Sequence, residues 1–107
     1  MLLEKDAVVA TRLVLLLEKA GADVVTADHA VQALQRLAQF RFAGAVIDYW
    51  HGASDRTMVA ERLLELGVPL VVRAVADPPA AWRAVCAANP DQMVATVMRL
   101  AQKPRTL

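Results

Sequence analysis

Apolar runs too short to form helices alternate along this chain with longer segments of helical period, and that alternation constrains the fold more than any other feature. The runs are Leu2-Leu3 and residues 22–26, 43–48 and 68–73, with residues 84–86 as a minimal fifth. Asp6 stands where it can cap a first helix to about Ala20, with Val9, Leu13, Leu16 and Leu17 on one face and Gly21 as its stop. Asp28 heads a second helix to about Phe40, with an inward stripe of Val31, Leu34, Leu37 and Ala38. Ser54 or Asp55 caps a third, with Val59, Leu63 and Leu66 inward and Gly67 ending it. Asp77-Pro78-Pro79 opens a short helix over residues 80–83. Asn89-Pro90 opens the last, to about Gln102, with Met93, Val97 and Leu100 inward. Short strands joined by helices call for an open parallel sheet covered on both faces.

Composition agrees. The chain has 107 residues, 57% hydrophobic but only 5% aromatic, so Ala, Val and Leu do the packing, as they do between helices and a parallel sheet. That length fits a single domain, 1–107, with 103–107 a frayed tail. The formal charge is +1 with Lys and Arg scattered, which argues against a nucleic-acid partner. A single cysteine, Cys86, excludes an internal disulfide and suits a reducing compartment. No window approaches the roughly 18 apolar residues of a membrane span, and charges at Glu4, Lys5 and Asp6 interrupt any leader-like stretch. The expected location is cytoplasmic, with no membrane partner.

The third run, Ala45-Val46-Ile47-Asp48, ends in a carboxylate just before the loop Tyr49-Trp50-His51-Gly52. A buried strand that closes on an acid places a potential nucleophile at the rim where α/β proteins build their sites. Right-handed crossovers bring Glu4, Lys5, Asp48 and Ala74 to that same rim.

With these residues in this order, the chain resembles the receiver domain of bacterial response regulators over nearly its whole length. The resemblance rests on Leu3-Glu4-Lys5-Asp6, Ile47-Asp48, Val68-Pro69-Leu70-Val71-Val72 and Asn89-Pro90-Asp91-Gln92-Met93. It implies a flavodoxin-like, doubly wound sheet of five parallel strands in the order 2-1-3-4-5. It also implies a phosphoryl group passed from a histidine kinase to Asp48, and Mg²⁺ held by Glu4, Asp48 and the backbone carbonyl of Trp50. The departures are as informative. Lys5 stands where the family has a second acid, Ala74 replaces its Ser or Thr, and Cys86 aligns with its lysine. The resemblance therefore points to a degenerate receiver.

Phosphoryl transfer to a carboxylate depends chiefly on charge neutralisation by the metal. A unit charge pair at 4 Å and an effective dielectric near 20 is worth about 4 kcal/mol, so exchanging an acid for Lys5 is expected to cost about two orders of magnitude in divalent affinity. Lys5 is expected to pair with Asp48 or Glu4 as a built-in cation, leaving no cofactor. The expected function is a single-domain signalling protein, not an enzyme, acting through contacts with a histidine kinase or another signalling protein. Any output lies in trans, and homodimerisation would use the helix 4–strand 5–helix 5 face. The alternative is a working phosphoacceptor in which Glu4 and Asp6 recruit Mg²⁺. A nucleotide or flavin site is disfavoured because Lys5-Asp6-Ala7-Val8-Val9 has no phosphate-binding glycine or hydroxyl. Trp50 either lies over the site or covers an apolar edge. His51 and His29 lack metal-site companions, Cys86 is expected to be a buried small residue, and Arg73, on the face opposite Ala74, is expected to point outward.

Overall fold

The structure is a computed structural model that describes residues 1–50, 54–74 and 89–102. Its elements, in chain order, are β1 (Leu2–Leu3), α1 (Ala7–Lys19), β2 (Thr26–Ala27), α2 (Ala30–Gln39), β3 (Ala45–Tyr49), α3 (Ser54–Glu65), β4 (Leu70–Ala74) and α4 (Pro90–Gln102). The described strands form one parallel sheet in the order β2-β1-β3-β4. Leu2 lies opposite both Thr26 and Val46, and Asp48 lies opposite Arg73. The expected fifth strand at 84–86, the short helix at 80–83, and with them most of the expected dimer face, lie outside the described residues.

Strand alternation divides the core in two. Leu3, Ile47, Leu70 and Val72 face Ala30, Ala33 and Leu37 of α2 and Val59, Ala60 and Leu63 of α3. Leu2, Val46 and Val71 face Leu13 and Leu17 of α1 and Met93, Val94 and Val97 of α4. Each such large side chain contributes about 1.5–3 kcal/mol on leaving water. The small cores on both faces explain the Val- and Ala-rich composition.

Local chemistry sets the helix ends. Asp6 Oδ1 accepts from the Val8 and Val9 amides and so satisfies two donors of the first turn of α1. Gly21 (φ +97°) and Gly67 (φ +67°) adopt the left-handed conformation that ends α1 and α3. Beyond them, the Ala22 and Val68 amides reach back to the carbonyls of Leu17 and Leu63.

Three expectations are corrected here. α2 is capped by His29, whose Nδ1 accepts from the Gln32 amide, while the Asp28 amide donates to Gln32 Oε1. Val31 is 62% exposed and Ala38 is also exposed, while Ala30 and Ala33 join Leu34 and Leu37 on the inward stripe. Leu66 follows the end of α3 and is exposed. β2 pairs only at Thr26–Ala27 because β1 offers two residues before the chain leaves the sheet at Glu4. Among the described residues no helix is long and apolar enough to cross a membrane.

At the opposite, amino-terminal rim, the Met1 α-amino group donates to the Gly44 carbonyl, and burial pushes its pKa down from 8.0 to about 6. The unfolded chain therefore binds the extra proton between those values, and stability falls as pH drops through that window. Urea midpoints measured at pH 8.5, 7 and 5.5 should decline in that order, with a total contribution from this group of up to about 2–3 kcal/mol.

Candidate functional site

The carboxyl ends of β1, β3 and β4 bring together Glu4, Asp48 and Arg73, all on the sheet face that also carries Leu2, Val46 and Val71. Glu4 and Asp48 are buried, Asp48 to 1% exposure. Burying a carboxylate is unfavourable unless it is paired and hydrogen-bonded. Here every oxygen has a donor.

Asp48 Oδ1 accepts from Arg56 Nε at 2.7 Å and Oδ2 from the Lys5 backbone amide at 2.9 Å. Glu4 Oε2 accepts from Arg73 Nε at 2.7 Å, and Oε1 from Arg73 Nη2 at 2.6 Å and the Asp6 amide at 3.1 Å. The Arg73–Glu4 contact is the bidentate geometry that a planar guanidinium provides and an ammonium cannot. Hydrogen bonding to Glu4 raises the Arg73 pKa despite partial burial, aided by the charges of Glu4, Asp48 and Asp6. Arg73 therefore stays a cation at any working pH.

Arg56 is the residue that sequence reasoning missed. It sits in the first turn of α3, is 2% exposed, and also reaches Asp55 Oδ2 at 3.3 Å. A signal was present: Arg56 shares the helical phase of Val59, Ala60 and Leu63, so it was bound to face inward.

Other expected site residues are placed differently. The Lys5 ammonium pairs with neither acid; it stands 3.8 Å from the centroid of the Trp50 ring, and only its backbone reaches Asp48. The Arg56 guanidinium carbon lies 4.7 Å from the same centroid, so Trp50 lies at the site and carries two cations. Arg73 was expected to point outward. It does lie opposite Ala74, but in a sheet covered on both faces that direction leads to Glu4. Ala74 pairs in register with Tyr49 and packs against the α2–α3 core, away from Asp48, so β4 brings Arg73 to the acids. Cys86 and His51 lie outside the described residues, and His29 serves as the α2 cap. Among the described residues no group of three or more His, Cys, Asp or Glu side chains could hold a metal ion.

Strand order and winding define a doubly wound, Rossmann-like α/β fold. The chain is similar to the solution NMR structure of a de novo designed Rossmann 2x3 fold protein, with a TM-score of 0.67 and 12% sequence identity over 92% of this chain and 84% of that one. At that identity the likeness establishes the fold alone. No protein-family model and no curated protein matches the sequence.

The buried pair yields a direct test. Truncating Arg56 to Met strands the Asp48 charge and should cost about 3–5 kcal/mol in urea unfolding, whereas adding Asp48→Asn in the same chain should recover much of that loss. Equal and additive losses in the two single variants would show that the pair carries no coupling.

Proposed function

We propose that this chain is a receiver-like signalling module whose acidic site is closed to phosphorylation and which acts through protein contacts. The observation that carries the reading is that all four carboxylate oxygens of Glu4 and Asp48 are engaged by Arg73, Arg56 and backbone amides. A phosphoacceptor aspartate needs an oxygen free to attack and a divalent cation to neutralise the incoming charge. Magnesium prefers a near-octahedral oxygen shell at about 2.0–2.1 Å. Seating it between Glu4 and Asp48 would mean expelling guanidinium groups from a buried site. The residues present do not suit it.

On this reading Arg56 and Arg73 supply permanently the positive charge that a conventional receiver takes up reversibly, and the domain holds one conformation without a phosphoryl group. Its partner, a histidine kinase or another signalling protein, would recognise a fixed surface. The module itself performs no catalysis.

Incubation of the full chain with millimolar Mg²⁺ and acetyl phosphate should leave its intact mass unchanged, and Mg²⁺ alone should leave Trp50 fluorescence without a saturable response. A stoichiometric, acid-stable but base-labile adduct mapped to Asp48 would establish the alternative, a working phosphoacceptor.

A further inference from the structure

A feature able to take a ligand lies at the other rim of the sheet. A cavity of about 400 Å³ opens where the segment before β2, the segment before β3 and the last turns of α4 meet. That volume falls within the range of small-molecule sites. Its walls are apolar, with Val24, Phe42, Val97, Met98 and Ala101. Gly44 sets its depth, because a Cβ there would stand 2.9 Å from Val97 Cγ2 and push α4 away.

Two charged side chains line this apolar space, Asp23 and Arg41. Both are exposed, and neither forms an ion pair with the other or with any described residue. Elsewhere in the fold the chain satisfies its buried charges with internal partners, as at Glu4 and Asp48. Here a carboxylate and a guanidinium, both open to solvent, border an apolar cavity without an ion-pair partner among the described residues.

From this juxtaposition we infer that the cavity binds a small zwitterion with an apolar body, of the size of a dipeptide of branched or aromatic residues. The apolar side chains occupy the space against Val97, Met98 and Ala101. The ligand's ammonium faces Asp23 and its carboxylate faces Arg41, where a planar guanidinium grips both oxygens. A purely anionic amphiphile meets repulsion from Asp23, and a purely cationic one from Arg41, so the pair of charges selects for a molecule carrying both.

The test is calorimetric and NMR titration of the full chain with L-leucyl-L-leucine, 4-methylpentanoate and 3-methylbutylamine. The dipeptide should saturate and shift the Met98 methyl resonance, while the two singly charged compounds bind at least about tenfold more weakly. Arg41→Gln and Asp23→Asn, both at exposed positions, should each weaken the dipeptide about tenfold, and Ala101→Trp should fill the cavity and abolish binding. Absence of saturable binding by the dipeptide overturns the inference. So does equal binding of all three compounds, or dipeptide affinity unchanged by Arg41→Gln and Asp23→Asn. The two surface variants keep the test valid should Ala101→Trp fail to fold.

Discussion

The carboxyl rim of this sheet depends on the pairing of Asp48 with Arg56. Both side chains are almost wholly withdrawn from water, at 1% and 2% exposure. Two isolated ions could not remain there, since desolvation costs several kcal/mol for each, and their attraction offsets that only with good geometry and further hydrogen bonds. The further bond comes from the Lys5 amide, which ties β1 to β3 through the same carboxylate. Arg56 in turn fixes the start of α3 against the strand ends and supports one face of Trp50. A single buried charge thereby ties together the end of β1, the end of β3 and the start of α3. The net stabilisation is modest; what the pair gives is a unique arrangement, because removing either member leaves the other charge uncompensated.

The Arg73–Glu4 pair differs in kind. Arg73 keeps a side-chain exposure of 20%, so water shares in its solvation and the pair is less critical to the core. It matters through direction. Arg73 lies at the penultimate position of β4, and its bidentate bond pulls the end of that strand towards β1 across the intervening β3. A divalent ion in such a place could bind and leave, and a hydroxyl could follow a phosphoryl group. A guanidinium is covalently part of the strand. On the proposed reading this is why the module has one state: the positive charge at the rim cannot dissociate.

Much of the fold was legible in the sequence because it rests on periodicity. Three strand positions, four helices and the inward residues Leu13, Leu17, Val59, Leu63, Met93 and Val97 follow from spacing, with Gly21 and Gly67 as stops, while the second strand lies at the far end of its expected run. The stripe of α2 was legible at Leu34 and Leu37 but not at its edges, where Ala30 and Ala33 stand in place of Val31 and Ala38, and Asp28 looks the better cap although His29 has the extended backbone and the acceptor nitrogen. At the site, the acids and their rim were legible but not their partners. Lys5 drew attention by sitting beside Glu4 in sequence, while adjacent residues leave a strand end in opposite directions. Arg56 and Arg73 are far from Glu4 and Asp48 in sequence or hidden at a helix start, and both carried the same overlooked signal, a charge in phase with a buried face.

That signal has a consequence for where ligands can bind. Open α/β sheets ordinarily take ligands at the carboxyl ends of their strands, where loops diverge and backbone donors are unpaired. Among the described residues those ends are occupied from within: each oxygen of Glu4 and Asp48 accepts at least one donor, and the ring of Trp50 carries two cations. The amino rim is the reverse. Small residues, Ala22, Ala43 and Gly44, leave space between the sheet and α4, and the charges beside that space have no partner of their own among the described residues. On the proposed reading, internal guanidiniums stand at the carboxyl rim in place of an exchangeable cation. At the opposite rim an apolar cavity lies beside two exposed charges that have no ion-pair partner among the described residues, and the inferred zwitterion recognition rests on that juxtaposition.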